Sequence, residues 1–288
     1  MPFRIYLYII LLFCCRYTCS GQASGCFTKT ASGSISFETS VNFNGYNAFF
    51  VGEFHGMYDV PAIKLALIKY LHKQHGVTDV FMEIGHSTAW LYNQYLQTGD
   101  TALFTTPVIT YAQKQQDRNF WKQLYAYNKM SEAKIVIHGM DFERMTFFKT
   151  LKLLMPAGKQ KPAGIAAVLN WIDTGRVIDG NWDIRDRQHP MRLLTKAYDS
   201  IQHHIALNRS QYDAYYGASF KDVARIMFNE NTYARYEERN KGMYANILKE
   251  VQRGNIKKYV VFAGLNHANR QGGYTLCAQL AATPELKD

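Results

Sequence analysis

Cysteine is scarce in this 288-residue sequence, and three of its five cysteines (Cys14, Cys15 and Cys19) fall within the first 19 residues. No Cys-x-x-Cys pair and no Cys/His zinc spacing occurs, so a thioredoxin-type redox centre and a zinc-finger module are excluded. No Gly-x-Ser-x-Gly elbow is present, which removes the serine nucleophile of the usual α/β-hydrolases. There is no internal repeat and no low-complexity linker. After residue 15 no apolar run is long enough to span a bilayer. A basic arm and nucleic-acid motifs are also missing, so nucleic acid is not an expected partner.

What is present begins with an N-terminal leader pattern. Arg4 supplies a positive start, residues 5–15 form a short apolar run, and small polar residues follow at 19–24. This predicts a secretory signal peptide over residues 1–21, with cleavage near Gly21 or Ala23, and an exported product that is periplasmic, on the cell surface or secreted. Lipidation at Cys19 is the anchored alternative, although Arg16-Tyr17-Thr18 before it fits that pattern poorly. Lys and Arg total 33 against 23 Asp and Glu. Loss of Arg4 and Arg16 with the leader leaves 31 against 23, a surplus of eight. It is spread along the chain, with clusters at Lys257-Lys258 and at Arg185, Arg187 and Arg192, and reads as a solvated basic surface. Peripheral attraction to an anionic membrane stays open. Cys26 and Cys277 could pair in an oxidising compartment or remain two thiols.

Four short apolar runs rich in β-branched and aromatic residues, at 48–51, 80–82, 135–137 and 259–263, read as buried strands. Between the first two, Val60, Ile63, Leu67 and Leu71 recur at helical spacing, and Gly76 supplies a stop. Strand, helix and strand within about 35 residues make a βαβ unit, so an α/β fold with a mostly parallel central sheet flanked by helices is expected. Residues 143–253 contain helical segments around 143–155, 162–173, 191–207 and 220–252 and no convincing strand. They read as a helical insertion before the last strand, a lid or side wall of one domain spanning 22–288. Residues 274–280 suit an edge strand or a short closing helix.

The chemistry gathers where strands end. The first runs into Gly52-Glu53-Phe54-His55-Gly56, the second into Glu83-Ile84-Gly85-His86, the third into His138-Gly139-Met140-Asp141 and the fourth into Gly264-Leu265-Asn266-His267. A parallel sheet brings all four carboxyl ends to one rim, where α/β proteins bind ligands. Glu53 and His55 are two apart, so on extended backbone they point the same way, and a carboxylate can orient an imidazole base. Glu83 at a buried strand end needs a cation or a proton, and Arg239 is a candidate partner. Asp141 could cap the next helix or orient a catalytic group. His138 reads as a satisfied core histidine, His86 is ambiguous, and His203-His204 suits an exposed helix face.

Two Gly-x-x-His motifs after strands, at Gly52–His55 and Gly264–His267, together with Glu83, resemble the superfamily that unites erythromycin esterase-like proteins, ChaN-like haem-binding lipoproteins and the TraB/Tiki metalloproteases. His138-Gly139-Met140-Asp141 is similar to the esterase branch's Gly-x-Asp, and Arg239-Asn240-Lys241-Gly242-Met243-Tyr244-Ala245 is similar to an Arg-Asp-x-x-Met-Ala helix motif, with Asn240 where Asp is usual. The likeness covers roughly residues 46–280. The Glu53-to-His55 spacing is one residue shorter than in the esterase branch and closer to the ChaN-like branch. The resemblance implies a hydrolase that cleaves an ester or related acyl bond of a small-molecule substrate without a cofactor. In it His55 is the general base, Glu53 and Glu83 hold and stabilise its ring, and His267 is a second acid/base group or an oxyanion donor. Arg239 offsets the carboxylates or grips an anionic group, and Asp141 completes the set. The other branches imply a metal-dependent peptidase with His55, His267 and Glu83 as ligands of a divalent ion, or a haem- or iron-binding uptake protein.

Overall fold

The computed structural model describes residues 12–13, 25–30, 35–104, 114–174, 190–231, 236–268 and 274–283. The expected leader lies outside these residues apart from 12–13, as do Arg185, Arg187 and the side chain of Cys26. In chain order the elements are β1 (Leu12–Phe13), β2 (Gly25–Lys29), β3 (Ile35–Thr39), β4 (Ala48–Glu53), α1 (Val60–His75), β5 (Asp79–Met82), α2 (His86–Thr98), α3 (Gln115–Met130) and β6 (Val136–Gly139). They continue with α4 (Thr146–Leu153), α5 (Ala166–Thr174), α6 (Pro190–Leu207), α7 (Arg209–Tyr216), α8 (Phe220–Met227), α9 (Tyr236–Gly254), β7 (Tyr259–Gly264), α10 (Leu265–Ala268) and α11 (Leu276–Ala282).

All four expected strands form, and they lie side by side as β4-β7-β5-β6, each pair parallel. Their apolar runs are continuous rather than alternating because both faces of the sheet are covered. Phe49, Val51, Val80, Met82, Val260 and Phe262 point to one face, where they pack with Leu67, Ile68 and Leu71 of α1, Leu91 and Tyr92 of α2 and Trp121 and Leu124 of α3. The alternate residues Phe50, Phe81, Tyr259, Val261 and Ala263 meet Met243 and Ile247 of α9 and Leu276, Cys277 and Leu280 of α11 on the other. Helix α1 ends where the spacing predicts. Gly76 adopts φ 66°, and its N–H donates to the His72 carbonyl at 3.1 Å. On the outer side of β4, Leu12–Phe13 adds a short antiparallel strand.

The remaining elements extend the sequence reading or decide between its alternatives. Strands β2 and β3 form a separate antiparallel hairpin, seated on α1 through Phe37 against Tyr70 at 5.0 Å. Of the two alternatives for residues 274–280 the closing helix forms, as α11, with Cys277 buried within it. The insertion holds helices α4 to α8 around its own apolar cluster, with Phe147, Leu151, Leu169, Ile201, Tyr212 and Val223 buried in it. Trp90 of α2 packs against both this cluster and the one under the sheet. The stretch 220–252 divides into α8 and α9, because Asn229 and Asn231 leave the helical path to bond the backbone and side chain of Asp141. Helix α9 itself covers a sheet face.

Two side-chain amides, Asn93 half-buried and Asn128 buried, finish the β6 side of the sheet. Asn93 of α2 donates to the Ile137 carbonyl at 2.8 Å and accepts from its N–H at 2.9 Å, as a neighbouring strand would. Asn128 of α3 does the same for Ile135, accepting its N–H at 2.6 Å. At the rim, β6 and the start of α2 approach so closely that a Cβ on Gly139 would lie 2.5 Å from the Gly85 carbonyl. Gly139→Ala therefore forces backbone apart and is expected to lower stability by about 1–3 kcal/mol. Urea denaturation checks this, and an unchanged midpoint would show that the two segments separate without cost.

Candidate active site

Strand register sets the rim. Glu53 pairs across from Gly264, and Met82 stands opposite Phe262 on one side and Gly139 on the other. Glu83, one residue past its strand, thus sits beside the ends of β4 and β7. Its Oε2 accepts the Gly264 N–H at 2.7 Å and lies 3.5 Å from His55 Nε2. Its Oε1 accepts from Arg239 Nη2 at 2.5 Å and lies 3.6 Å from His267 Nε2. Burial works to raise the Glu83 carboxyl, but the His55 hydrogen bond, the Gly264 amide and the Arg239 charge outweigh it and hold the carboxyl at about 2. Gly264 must be glycine for this approach, since a Cβ there would meet His55 Nε2 at 2.7 Å.

Arg239 reaches the rim from α9 and is gripped in two places. Nε donates to Asp141 Oδ1 at 2.9 Å and Nη2 to Asp141 Oδ2 at 2.6 Å, a two-pronged pair with a carboxylate that is 0% exposed. Asn231 Nδ2 adds a third donor to Asp141 at 2.9 Å. Asp141 is not a helix cap, since α4 begins after Met145. Burial alone would lower the Arg239 pKa, yet its bonds to Asp141 and the charge of Glu83 raise it, so the guanidinium stays charged.

The two motif histidines occupy unlike surroundings. The His55 side chain is 55% exposed, and its hydrogen bond to Glu83 raises its pKa above the ordinary imidazole value. His267 is buried beneath Arg239, and burial lowers its pKa below that value. Its Nδ1 meets Asn240 Oδ1 at 2.6 Å, and its Nε2 is approached by Arg239 Nη1 at 3.5 Å. Glu53 turns elsewhere: both its oxygens bond Lys64 of α1, at 2.8 and 3.0 Å. The chain leaves the strand after Glu53, so the carboxylate that faces His55, 3.5 Å from its Nε2, is Glu83, while Glu53 acts on the imidazole through its charge.

A further buried carboxylate, Glu143, gave no sequence signal because nothing in its local pattern marks it. It accepts from the backbone N–H groups of His86 (2.7 Å) and Ser87 (3.2 Å), from the Ser87 hydroxyl and from Asn229 Nδ2 (3.1 Å). It serves as the missing cap of α2, whose preceding residue is Gly85. Burial pushes its carboxyl up to about 7 despite these donors. His86 stands at that helix start with its pKa lowered to about 4 by burial, and bonds Asn246 Oδ1 at 3.4 Å. His138 is a satisfied core imidazole, stacked on Phe81 and bonded to Asp79 at 2.7 Å. His204 bonds Tyr212 within the insertion. A pocket at the β6 edge, lined by His86, Trp90, His138, Arg225 and Glu250, lies away from His55.

Among the described residues no group of three or more His, Cys, Asp or Glu side chains is placed to hold a metal ion. The reason is visible locally: the cation serving both Glu83 and His267 is the guanidinium of Arg239.

No family model matches this chain, and no curated protein matches its sequence. Solved structures do resemble it. Erythromycin esterase EreC, captured as an H289N mutant in an open conformation, matches with a TM-score of 0.53 at 13% identity, over 85% of this chain and 69% of that one. A Bacillus cereus protein matches with a TM-score of 0.52 at 16% identity, over 82% of this chain and 62% of its own. A succinoglycan biosynthesis protein matches with a TM-score of 0.50 at 18% identity, over 78% and 58% respectively. The chain thus spans less than two thirds of the length of two of these three. At such identity the likeness is one of fold, and at that level it agrees with the superfamily that the Gly-x-x-His motifs resemble.

Removing the guanidinium tests the site's electrostatics. Arg239→Met leaves Asp141 and Glu83 buried without their cation and is expected to cost about 3–5 kcal/mol at neutral pH. The Glu83 carboxyl then loses a charge that holds it low, so lowering the pH protonates it more readily and relieves part of the penalty. Denaturation at pH 7 and pH 5 should show the gap to wild type narrowing at pH 5. A gap that stays constant or widens would count against the assignment.

Proposed function

We propose that the chain is a hydrolase that cleaves an ester or related acyl bond, with His55 as general base on water. The observation that carries this reading is the position of Glu83 between His55 and Arg239. Arg239 and the Gly264 amide keep Glu83 ionised, and Glu83 in turn raises the basicity of an exposed imidazole. The fold shared with an erythromycin esterase supports the same reading. His55 presents Nε2 to Glu83, so its N–H lies there and the Nδ1 lone pair is left to take a proton from water. The water oxygen bonds to the acyl carbon, the carbonyl becomes an oxyanion, and collapse expels the alkoxide. The proton held by His55 then passes to that alkoxide, giving acid and alcohol. Phe54, Met57 and Tyr58 are exposed on either side of His55 in sequence and offer apolar surface for the substrate's hydrocarbon part.

His55→Ala should lower turnover of an acyl ester by roughly 10²–10⁴ while leaving folding intact. The acidic limb of kcat/KM should lie above the ordinary histidine value, because Glu83 favours the imidazolium. Glu83→Gln removes that effect, so the limb should move to lower pH as turnover falls. A limb unmoved by Glu83→Gln would sink this pairing. Activity should also survive a chelator, whereas loss restored by divalent ions would favour a metal centre.

Export is the second part of the proposal, resting on the leader pattern of residues 1–21. Mass spectrometry of the exported fraction should find a mature chain starting near residue 22, and an intact Met1 there would overturn it.

A further inference from the structure

The guanidinium of Arg239 carries five N–H donors in one rigid plane. Asp141 takes the Nε donor and one on Nη2, and Glu83 takes the other on Nη2. With those three fixed, the position of Nη1 is fixed too, and one of its N–H bonds is directed at His267 Nε2, 3.5 Å away. Arginine can only donate, so Nε2 must present a lone pair there. A neutral imidazole with a bare Nε2 carries its proton on Nδ1, and the acceptor for that proton is in place: Asn240 Oδ1, at 2.6 Å. Asn240 is fully buried and neighbours Arg239 on α9, so one helix turn supplies both the arginine and the group that sets the ring beneath it. Its Nδ2 has no hydrogen-bond partner among the described residues.

We infer that Asn240 is a positioning residue, holding His267 in the Nδ1–H form so that its Nε2 accepts from Arg239 and leaves one Nη1 donor for a substrate oxygen. The inference rests on the hydrolase reading for its consequence but not for its geometry. It divides the labour between the two motif histidines. His55 handles the proton, whereas buried His267 reaches the reaction through Arg239. The oxyanion donor is then the remaining N–H of Arg239, not His267, whose Nε2 carries no proton to donate. An amide suits this task because it is an uncharged acceptor. A carboxylate at position 240 would draw the ring toward its cationic form, and an Nε2 proton would then face the Arg239 donor.

Nitrogen-15 NMR of histidine-labelled protein reads the ring directly. In wild type at neutral pH, His267 should show a protonated Nδ1 and an unprotonated Nε2. The reverse pattern, with the amide turned to donate to Nδ1 and the Nε2 proton facing Glu83, would overturn the inference, as would a doubly protonated ring. Asn240→Leu removes the acceptor and should release the ring to a mixture of forms. With an acyl ester as probe, kcat should fall about tenfold to a hundredfold with little change in KM, because the lost interaction matters where negative charge develops. Asn240→Asp keeps an oxygen acceptor for Nδ1 but favours the cationic ring, so both nitrogens should be protonated and the kcat lost in Asn240→Leu should not return. An Asn240→Leu protein that folds and retains both the wild-type ring form and wild-type kcat would overturn the inference. Absence of ester turnover in wild type would instead remove the hydrolase reading, with the ring form still deciding the role of Asn240.

Discussion

A guanidinium set between two carboxylates that follow neighbouring parallel strands cannot leave without stranding negative charge in a dry place. Arg239 is that group. Asp141 comes from beyond β6, Glu83 from beyond β5, and Arg239 from α9 on the far side of the sheet. The three belong to segments separated by 98 and 156 positions in sequence, so the ion network helps to fix the relation of a helix to two strand ends as well as balancing charge. Coulombic gain must exceed the desolvation of buried ions for such a cluster to help stability. Here each carboxylate also accepts from an uncharged donor: Asn231 shares Asp141 Oδ1 with Arg239 Nε, and the Gly264 amide takes the Glu83 Oε2 that the arginine leaves over.

Around this cluster, neutral amides do the work of joining elements. Asn246 donates to the Met140 carbonyl and to Asn229 Oδ1, and Asn229 donates to the Asp141 carbonyl and to Glu143. The segment between α8 and α9 is thereby tied to the backbone that presents Asp141. An amide both donates and accepts, so it can continue a chain of bonds through a buried space without adding charge. Asn93 and Asn128 use the same property on β6, where each stands in for a missing strand.

The sheet was legible because its signal is local. Runs at 48–51, 80–82, 135–137 and 259–263 are apolar at every position, and only a strand covered on both faces needs that pattern in so few residues. Once the strands were parallel, their ends had to share a rim, and Glu83, His55, Asp141 and His267 could be named from that alone. What the sequence could not disclose was pairing among those groups. Glu53 and His55 are separated by two residues, but the strand stops at Glu53, and Lys64 on the next helix supplies a nearer cation than the imidazole. Glu143 and the asparagines at 229, 231 and 240 sit in stretches that read as ordinary helix or loop. Their role depends on partners tens of residues away, and no periodicity records such a partner. The β2–β3 hairpin escaped for a related reason: its strands are short, and among its described side chains only Phe37 is deeply buried.

The same arrangement bears on why one rim can hold two histidines in different states. Both lie within 3.6 Å of Glu83, so the carboxylate alone would raise both. His267 differs in being buried and in facing the Arg239 charge, and these two effects together outweigh the pull of Glu83. His55 differs in reaching solvent, where burial opposes it less than the Glu83 bond favours it. Under the proposed hydrolase reading, one imidazole raised and the other lowered would separate proton carrier from fixed acceptor before a substrate arrives. The separation depends on Arg239 remaining where it is, because the guanidinium keeps Glu83 charged for His55 and keeps His267 neutral. A divalent ion in that place would repel the arginine and convert both imidazoles to ligands, erasing the difference between them. The ion-paired guanidinium and the unequal histidines are therefore two aspects of one arrangement.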